Sequence, residues 1–355
     1  MKKYPKVSLL ILNWNGLKYT INCIKSLLQT DYPNFEIIVV DNCSEIDEAG
    51  ILKKEFKGKI TVVKNKINSG YTGGMNVGYA HTSGEYIMFV NNDMEFEKDW
   101  LKPLVMVFIN NPTIGGCQPK LKHLIDRQSF DYAVAAGGFI DIFGYPFARG
   151  RIFTHVEIDT GQYDQIIKIS WCGIFLVRRK VLEKTGLFDP IFFNYGEDMD
   201  LCFRIYGQGY SIVNVPRSVG YHYGGGALRK NLAQKMFFHH RNNLIFIFKN
   251  FEIKTILLII VPRVTLDFLS IFYYLYNGSI ASSLAVVKAY ISLFLLSKKI
   301  VASRRASQSK IQRKNIRKMP IYKGSVIWDY FILRKKTFRE IVKYNNLFGI
   351  NVKQK

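Results

Sequence analysis

Short apolar runs, each closed by a cluster of small polar side chains, set the pattern of the N-terminal half. Val7-Ser8-Leu9-Leu10-Ile11-Leu12 runs into Asn13-Trp14-Asn15, Glu36-Ile37-Ile38-Val39-Val40 into Asp41-Asn42-Cys43-Ser44, and Gly84 to Val90 into Asn91-Asn92-Asp93. Ile60 to Val63 is a further run. Continuous apolar runs of this length mark strands buried on both faces. Between them, Gly16 to Gln29 carries Ile21, Ile24, Leu27 and Leu28 at helical spacing, and Glu45 to Phe56 reads as a second helix. Strands alternating with helices predict an α/β fold with a mainly parallel central sheet flanked by helices. In such sheets ligands gather beyond the carboxyl ends of the strands, where the three polar clusters lie.

From about Ile114 to Lys168 the pattern weakens into Gly- and aromatic-rich stretches, read as loops and short strands with the makings of a lid. Arg178 to Gly186 then reads as a short helix, and Ser211 to Val215 and Val219 to His222 as strands. After Gly226 the character changes. Asn231 to Lys249 predicts an amphipathic helix, and Thr255 to Val261, Val264 to Tyr276 and Ile280 to Leu296 are apolar, interrupted by Pro262, Arg263, Asp267 and Lys288. The expected organisation is an α/β domain over 1–228 and a helical region over 229–355, apolar across 255–296 and basic across 298–355. None of the apolar stretches is an unbroken run of the about 20 residues that a span requires, and charges in hydrocarbon are costly. Helices lying in a membrane interface are the first expectation; a spanning hairpin and a soluble packing domain are the others.

Composition sharpens this picture. A chain of 355 residues with 48% hydrophobic side chains folds around a substantial core and is not disordered. Its 50 Lys and Arg against 27 Asp and Glu give +23, and residues 298–355 hold 17 basic residues against only Asp329 and Glu340. That tail fits an anionic partner, a nucleic acid or an anionic membrane leaflet. Carboxylates at the strand ends would repel nucleic acid from the cleft, so the membrane surface is the expected partner and nucleic acid is not. Cys23, Cys43, Cys117, Cys172 and Cys202 form no CxxC pair, which indicates neither a disulfide framework nor a zinc site and favours a reducing compartment. The apolar residues before Asn13 are too few for the core of a signal peptide.

The densest candidate chemistry is Phe193-Asn194-Tyr195-Gly196-Glu197-Asp198-Met199-Asp200-Leu201-Cys202-Phe203-Arg204, with three carboxylates at the start of a helix. Crowded carboxylates raise one another's pKa, which a fold tolerates mainly where a cation or a reaction uses the charge. Asp200 and Arg204 are spaced for an i,i+4 ion pair, while Glu197 and Asp198 point about 100° apart, so only one of them faces a given target. Asp41 suits a nucleobase imide or ribose hydroxyl, or else caps a helix. Asn68-Ser69-Gly70-Tyr71-Thr72-Gly73-Gly74-Met75-Asn76-Val77-Gly78 opens a helix and offers backbone N–H groups to a phosphate, or else makes a tight turn with close packing. Asp93 and its neighbours fit Mg²⁺ or Mn²⁺ or cap a polar loop. His222 is a ligand only if a metal sits nearby, and Trp171 is either a ligand contact or a core aromatic.

These stretches, in this order, resemble glycosyltransferase family 2, which has the GT-A fold, and within it the rhamnosyltransferase-like branch. The similarity covers about residues 6–245 and includes Gly186-Leu187-Phe188-Asp189. It implies an inverting glycosyltransferase that moves a sugar from a dTDP- or UDP-linked donor to a hydroxyl of a glycan or lipid-linked acceptor, in cell-surface polysaccharide or glycoconjugate synthesis at the cytoplasmic face of the membrane. By the same resemblance Asp198 is the general base with Glu197 as support or substitute. Asn13, Asp41, Asn68, Gly70, Gly74, Asn92 and Asp93 serve the nucleotide-sugar, Trp171 the acceptor, and Asp93 with His222 the Mg²⁺ or Mn²⁺. Asn91 departs from the pattern, since many members carry Asp there. A sugar-nucleotide nucleotidyltransferase is the enzymatic alternative, but Leu12 to Gly16 lacks the Arg and Lys of that class's loop. A basic nucleic-acid-binding protein is the non-enzymatic one.

Overall fold

A computed structural model describes residues 4–131, 134–224, 232–343 and 346–347. Four parallel strands form one half of the main sheet: β1 (Val7–Asn13), β2 (Phe35–Asp41), β3 (Thr61–Lys64) and β4 (Tyr86–Asn91), in the order β3-β2-β1-β4. Each connection is a helix: α1 (Leu17–Leu27), α2 (Glu48–Glu55) and α3 (Gly70–Tyr79). The apolar runs bury both faces. Leu9, Ile11, Val39 and Val90 face one core with Ile24 and Leu27 of α1, while Leu10, Ile38, Val40 and Phe89 face the other with Met75 of α3.

The weakly patterned middle holds the short strands expected there and one long strand outside that expectation. After β5 (Met94–Phe96) and α4 (Leu101–Asn110), β6 (Ile114–His123) is a ten-residue strand of the main sheet. Gly115, Gly116, Pro119 and three charged or amide side chains hide its apolar pattern. Lys120 is nevertheless buried, because Asp159 and Asp164 meet its ammonium at 3.0 and 2.5 Å. Four further strands, β7 (Gly138–Asp141), β8 (Pro146–Ala148), β9 (Arg151–Ile152) and β10 (His155–Val156), make a small second sheet.

The main sheet is completed by β11 (Ile167–Lys168), β12 (Phe175–Arg178) and β13 (Ser211–His222), giving the order β11-β13-β6-β12-β4 on this side. Strand β12 runs antiparallel between β4 and β6, and β13 runs parallel to β6. The two strands expected over 211–222 are one, with a register shift between Val215 and Val219. Helices α5 (Arg179–Thr185) and α6 (Glu197–Gly207) lie between β12 and β13.

Three helices follow: α7 (Leu232–Asn250), α8 (Ile253–Tyr276) and α9 (Ile280–Gln308). Helix α8 continues through Pro262, which interrupts its apolar pattern, and α9 extends past the apolar stretch that ends at Leu296 into the basic segment. The C-terminal region is not purely helical. β14 (Ile321–Tyr322) pairs with β7 in the small sheet, and the backbone N–H of Val326 donates to Asp141 Oδ2 at 3.0 Å. Met319, Tyr322, Val326 and Phe338 share a core with the α/β part, so the expected boundary near residue 228 falls inside one packed unit.

Candidate active site

Register brings the polar clusters together. In the β1–β2 pair Asn13 lies beside Asp41, and in the β1–β4 pair Leu12 lies beside Asn91. Asn13 and Asp41 are fully buried, and the Asn13 amide donates to Asp41 Oδ1 at 2.9 Å and to Glu48 Oε2 at 2.7 Å. Thr20 Oγ1 donates back to Asn13 Oδ1 at 2.6 Å, which fixes the orientation of the amide. Asp41 is not a helix cap, since α2 starts only at Glu48. Ser44 donates through Oγ to Asp41 Oδ1 at 2.5 Å, leaving Oδ2 with one long contact to the Ser44 N–H at 3.4 Å. A carboxylate held by one oxygen at the mouth of a parallel sheet is set to accept from a ligand N–H or hydroxyl. Glu48 was not foreseen, because it sits inside a helix; it also accepts from the Gly16 N–H at 3.1 Å.

Of the two expectations for the glycine run, the contacts favour the tight turn with close packing. The N–H of Gly70 donates to Asn68 Oδ1 at 2.9 Å, that of Tyr71 to Asn194 Oδ1 at 2.7 Å, and that of Thr72 to the Phe193 carbonyl at 3.2 Å. The first turn of α3 therefore spends these donors on the protein, and the phosphate-binding reading of Gly70 and Gly74 is corrected. Gly70 has φ +70°, and a Cβ there would lie 2.5 Å from the Phe193 carbonyl oxygen; at Gly74 it would lie 2.3 Å from Leu12 Cδ1. These glycines let α3 press against β1 and against the loop before α6. Asn42 holds the run from the other side, donating to Asn68 Oδ1 at 3.0 Å and to the Gly70 carbonyl at 3.1 Å.

Asn92 donates to Thr20 Oγ1 at 2.9 Å and so supports the Asn13 network. Asp93 faces the opposite way. The antiparallel β5–β13 register sets Met94 beside His222, and His222 Nε2 lies 3.0 Å from Asp93 Oδ1. His222 Nδ1 lies 2.9 Å from Asp131 Oδ2. All three side chains are buried. Burial disfavours the imidazolium, but Asp131 and Asp93 on either side overcome it and hold His222 protonated well above its usual range. Among the described residues no three His, Cys, Asp or Glu groups form a ready-made metal cage. Asp93 and the imidazole would fit a divalent cation whose remaining ligands are diphosphate oxygens and water, provided the cation displaces the proton that His222 Nε2 shares with Asp93. The second nitrogen of a ligating histidine ordinarily bonds a carboxylate, and Asp131 occupies that place. Asp131 lies in a stretch without pattern, which is why the sequence did not single it out.

Glu197 and Asp198 open α6 after a loop in left-handed conformation at Phe193, Tyr195 and Gly196 (φ 63°, 65° and 84°). For Phe and Tyr that conformation is strained by roughly 1–3 kcal/mol each. The loop is clamped from α7: the Asn242 amide lies 2.9, 2.6 and 2.6 Å from the carbonyl oxygens of Phe192, Asn194 and Tyr195, and Arg241 donates to Phe192 O at 2.8 Å. Burial, then the charge of Asp198, pushes the Glu197 carboxyl well above the usual range, and its Oε2 is buried without a hydrogen-bond partner. Burial pushes Asp198 up to about 7 against the pull of the Met199 N–H, which donates to Oδ1 at 2.7 Å. Both carboxyls are thus held protonated above their usual range, Asp198 up to about 7. The Tyr71 hydroxyl, also buried without a partner, feels both carboxylates.

Asp200 stands apart from the pair. It meets Arg204 and Lys249 at 2.9 Å each and accepts from Asn250 at 2.9 Å. Burial raises its carboxyl, and the Lys249 and Arg204 cations overcome that, leaving it below the usual range. It ties α6 to α7. Trp171 is half-buried, its indole N–H donating to the Phe139 carbonyl at 2.9 Å. Two residues on, a Cβ on Gly173 would lie 3.5 Å from Asp198 Oδ2, so the Trp171–Gly173 turn borders the acidic pair.

The family description Glycosyl transferase family 2 matches residues 8–186, and Glycosyl transferase family group 2 matches 160–296. The chain belongs to glycosyltransferase family 2. Over 215 residues it is 30% identical to the O-antigen biosynthesis protein RfbC of Myxococcus xanthus, covering 59% of this chain and 16% of that protein. The chain spans less than half the length of the curated relatives it matches. GalNAc-T7, solved with UDP, GalNAc and Mn²⁺, superposes with a TM-score of 0.54 at 16% identity, covering 70% of this chain and 48% of that one. The mannosyltransferase PcManGT from Pyrobaculum calidifontis, solved with GDP-Man and Mn²⁺, gives 0.51 at 15% identity over 89% and 86%. At these identities the likeness is one of fold, and this family 2 chain has the GT-A architecture expected of it.

Proposed function

We propose that this chain is an inverting glycosyltransferase that uses a nucleoside-diphosphate sugar, dTDP- or UDP-linked, and a hydroxyl of a glycan or lipid-linked acceptor at the cytoplasmic face of a membrane. Cell-surface polysaccharide is the product class, by analogy with the O-antigen role in the name of RfbC. The observation that carries the reading is the acidic pair: Glu197, its carboxyl held above the usual range, beside an Asp198 raised to about 7, at the edge of a sheet whose strand ends carry Asp41 and Asp93.

Asp41 and Asn13 hold the nucleobase end, with Ser44 and Glu48 fixing their orientation. Asp93 and His222 would hold Mg²⁺ or Mn²⁺, which supplies positive charge to the departing diphosphate when bound. Asp198 takes the proton of the acceptor hydroxyl as that oxygen attacks the anomeric carbon and the bond to the diphosphate oxygen breaks. Its pKa near working pH suits it to accept a proton in that step and release it afterwards. Tyr71 and Glu197 offer the acceptor sugar a hydroxyl and a carboxyl for hydrogen bonds, and the Trp171–Gly173 turn forms the neighbouring wall.

Titration calorimetry of UDP, dTDP and GDP with Mn²⁺ tests the nucleotide site, and a screen of sugar nucleotides for metal-dependent hydrolysis identifies the donor. Tight binding of at least one nucleotide is expected; failure of all three to bind refutes the reading.

A further inference from the structure

Helices α8 and α9 display two apolar stripes that no other part of the described chain covers. On α8 the stripe is Leu257, Val261, Val264, Phe268, Phe272 and Leu275, and on α9 it is Ile280, Leu284, Val287, Ile291 and Phe294, all exposed. Steps of three and four residues put each set on one side of its helix. Both helices are long and apolar enough to cross a bilayer, yet only 22% and 28% of their most apolar windows are buried.

The opposite sides are fastened to the rest of the protein along the whole length of the pair. At the far end, Arg304 of α9 donates to the carbonyls of Phe248 and Phe251, at 2.6 and 2.7 Å. At the middle, the buried Arg263–Asp267 pair of α8 faces inward. Arg263 Nη1 donates to the Phe143 carbonyl at 3.1 Å and to Asn243 at 2.5 Å, and Asp267 accepts from Tyr145 at 3.1 Å and lies 3.2 Å from His240. At the tip, the Tyr273 ring packs on Phe331 at 5.7 Å, and Phe331 packs on Phe153 next to strand β9 at 5.2 Å. A hairpin crossing a bilayer has its tip on the far side of the hydrocarbon, about 30 Å from its base. Here the tip packs on the Phe331 segment, which in turn packs beside the small sheet, so base, middle and tip are all tied to the folded domain.

We infer that α8 and α9 lie flat in an anionic bilayer surface as an in-plane apron, with the Arg263–Asp267 pair turned into the protein instead of into lipid. This deepens the membrane placement proposed above and rests on it. Charge selects the occupant. Lys298, Lys299 and Arg305 are exposed where the α9 stripe ends, and Trp328, Arg334 and Lys336 are exposed in the segment beside the tip. Aromatic and basic side chains at the edge of an apolar face match the headgroup layer of an anionic membrane. A second copy of a chain carrying +23 would bring like charge to the same place. The apron is also one helix away from the chemistry. Helix α9 packs along α7, and α7 clamps the loop that leads to Glu197 and Asp198 through Arg241 and Asn242. A lipid-carried acceptor hydroxyl would therefore meet the acidic pair at headgroup level.

Two measurements on the full chain decide this. In flotation, the protein is expected to rise with phosphatidylglycerol-containing vesicles, and Lys298→Gln with Lys299→Gln to weaken partition roughly 30-fold. Absence from the vesicles, or a concentration-dependent dimer that hides the stripes, overturns the membrane as occupant. For orientation, a cysteine is placed at the tip as Asn277→Cys, or at the 91% exposed Tyr276 if the first variant folds poorly. The exposed native Cys43 serves as the reference thiol. In inside-out membrane vesicles, an impermeant maleimide is expected to label the tip from the same face as Cys43. Labelling from the opposite face, or protection from both, overturns the in-plane arrangement. Neither readout needs turnover, so failure here leaves the transferase reading standing, and failure of that reading leaves this one testable.

Discussion

Replacing Asp198 by Asn removes a charge while keeping the shape and the acceptor oxygen that the Met199 N–H holds at 2.7 Å. The folded carboxyl titrates at about 7 against an ordinary 3.8, mainly because burial disfavours its ionised form. Its folded value is the higher one, so the native state binds this proton more tightly than the unfolded chain does. That contribution to stability is complete below about pH 3.8 and is lost as pH rises through about 7. The full displacement corresponds to roughly 4 kcal/mol, which solvent at this half-buried position reduces to about 2 kcal/mol. For a chain of 355 residues the unfolding entropy is about 0.75 kcal/mol/K, so the shift in Tm is about 3 °C. Asp198→Asn is therefore expected to melt about 3 °C above the parent at pH 8 and together with it at pH 4. It should bind nucleotide unchanged and lose about 10²- to 10⁴-fold in kcat. Scanning calorimetry at the two pH values and single-turnover transfer measure both. A variant that melts lower at pH 8, or transfers at nearly the parental rate, refutes the assignment of Asp198 as a strained base.

For the parent, log kcat should rise with pH and level off above about 7, where Asp198 is ionised; a flat profile from pH 5 to 8 places the base elsewhere. Asp131→Asn should weaken Mn²⁺ affinity in the presence of nucleotide by about 10- to 100-fold, read by Mn²⁺ resonance titration, because it loosens the support of His222. Gly74→Ala drives a methyl onto Leu12 and should cost about 1–3 kcal/mol in denaturant unfolding, with nucleotide affinity per folded molecule unchanged. Asp200→Ala leaves Arg204 buried without its anion and Lys249 with Asp189 alone and should cost about 3–5 kcal/mol, seen as loss of soluble protein or a large fall in Tm.

Much of the site is legible in one dimension because parallel strands convert sequence periodicity into position. A continuous apolar run reads as a buried strand, and the polar residue that ends it emerges at the carboxyl edge; Asn13 and Asp41 follow from that alone, and Asp93 lies two residues past the end of β4. The i,i+4 spacing of Asp200 and Arg204 is equally local. Tertiary structure decided what each of these residues touches. Glu48, Asp131, Asn194 and Asn242 come from four distant stretches and carry no local signature, yet they orient Asn13, His222, the start of α3 and the loop before the acidic pair. The glycine run reads as a phosphate loop until its N–H groups are seen bonded to Asn68, Asn194 and Phe193. In α8, Arg263 and Asp267 read as charges that make a span costly, and packing shows where they go, onto Tyr145 and Asn243. Sequence order determines which side chains stand at strand ends and helix faces. Only the folded chain, by spending some hydrogen-bonding groups internally and leaving others bare, decides which of them are free to act.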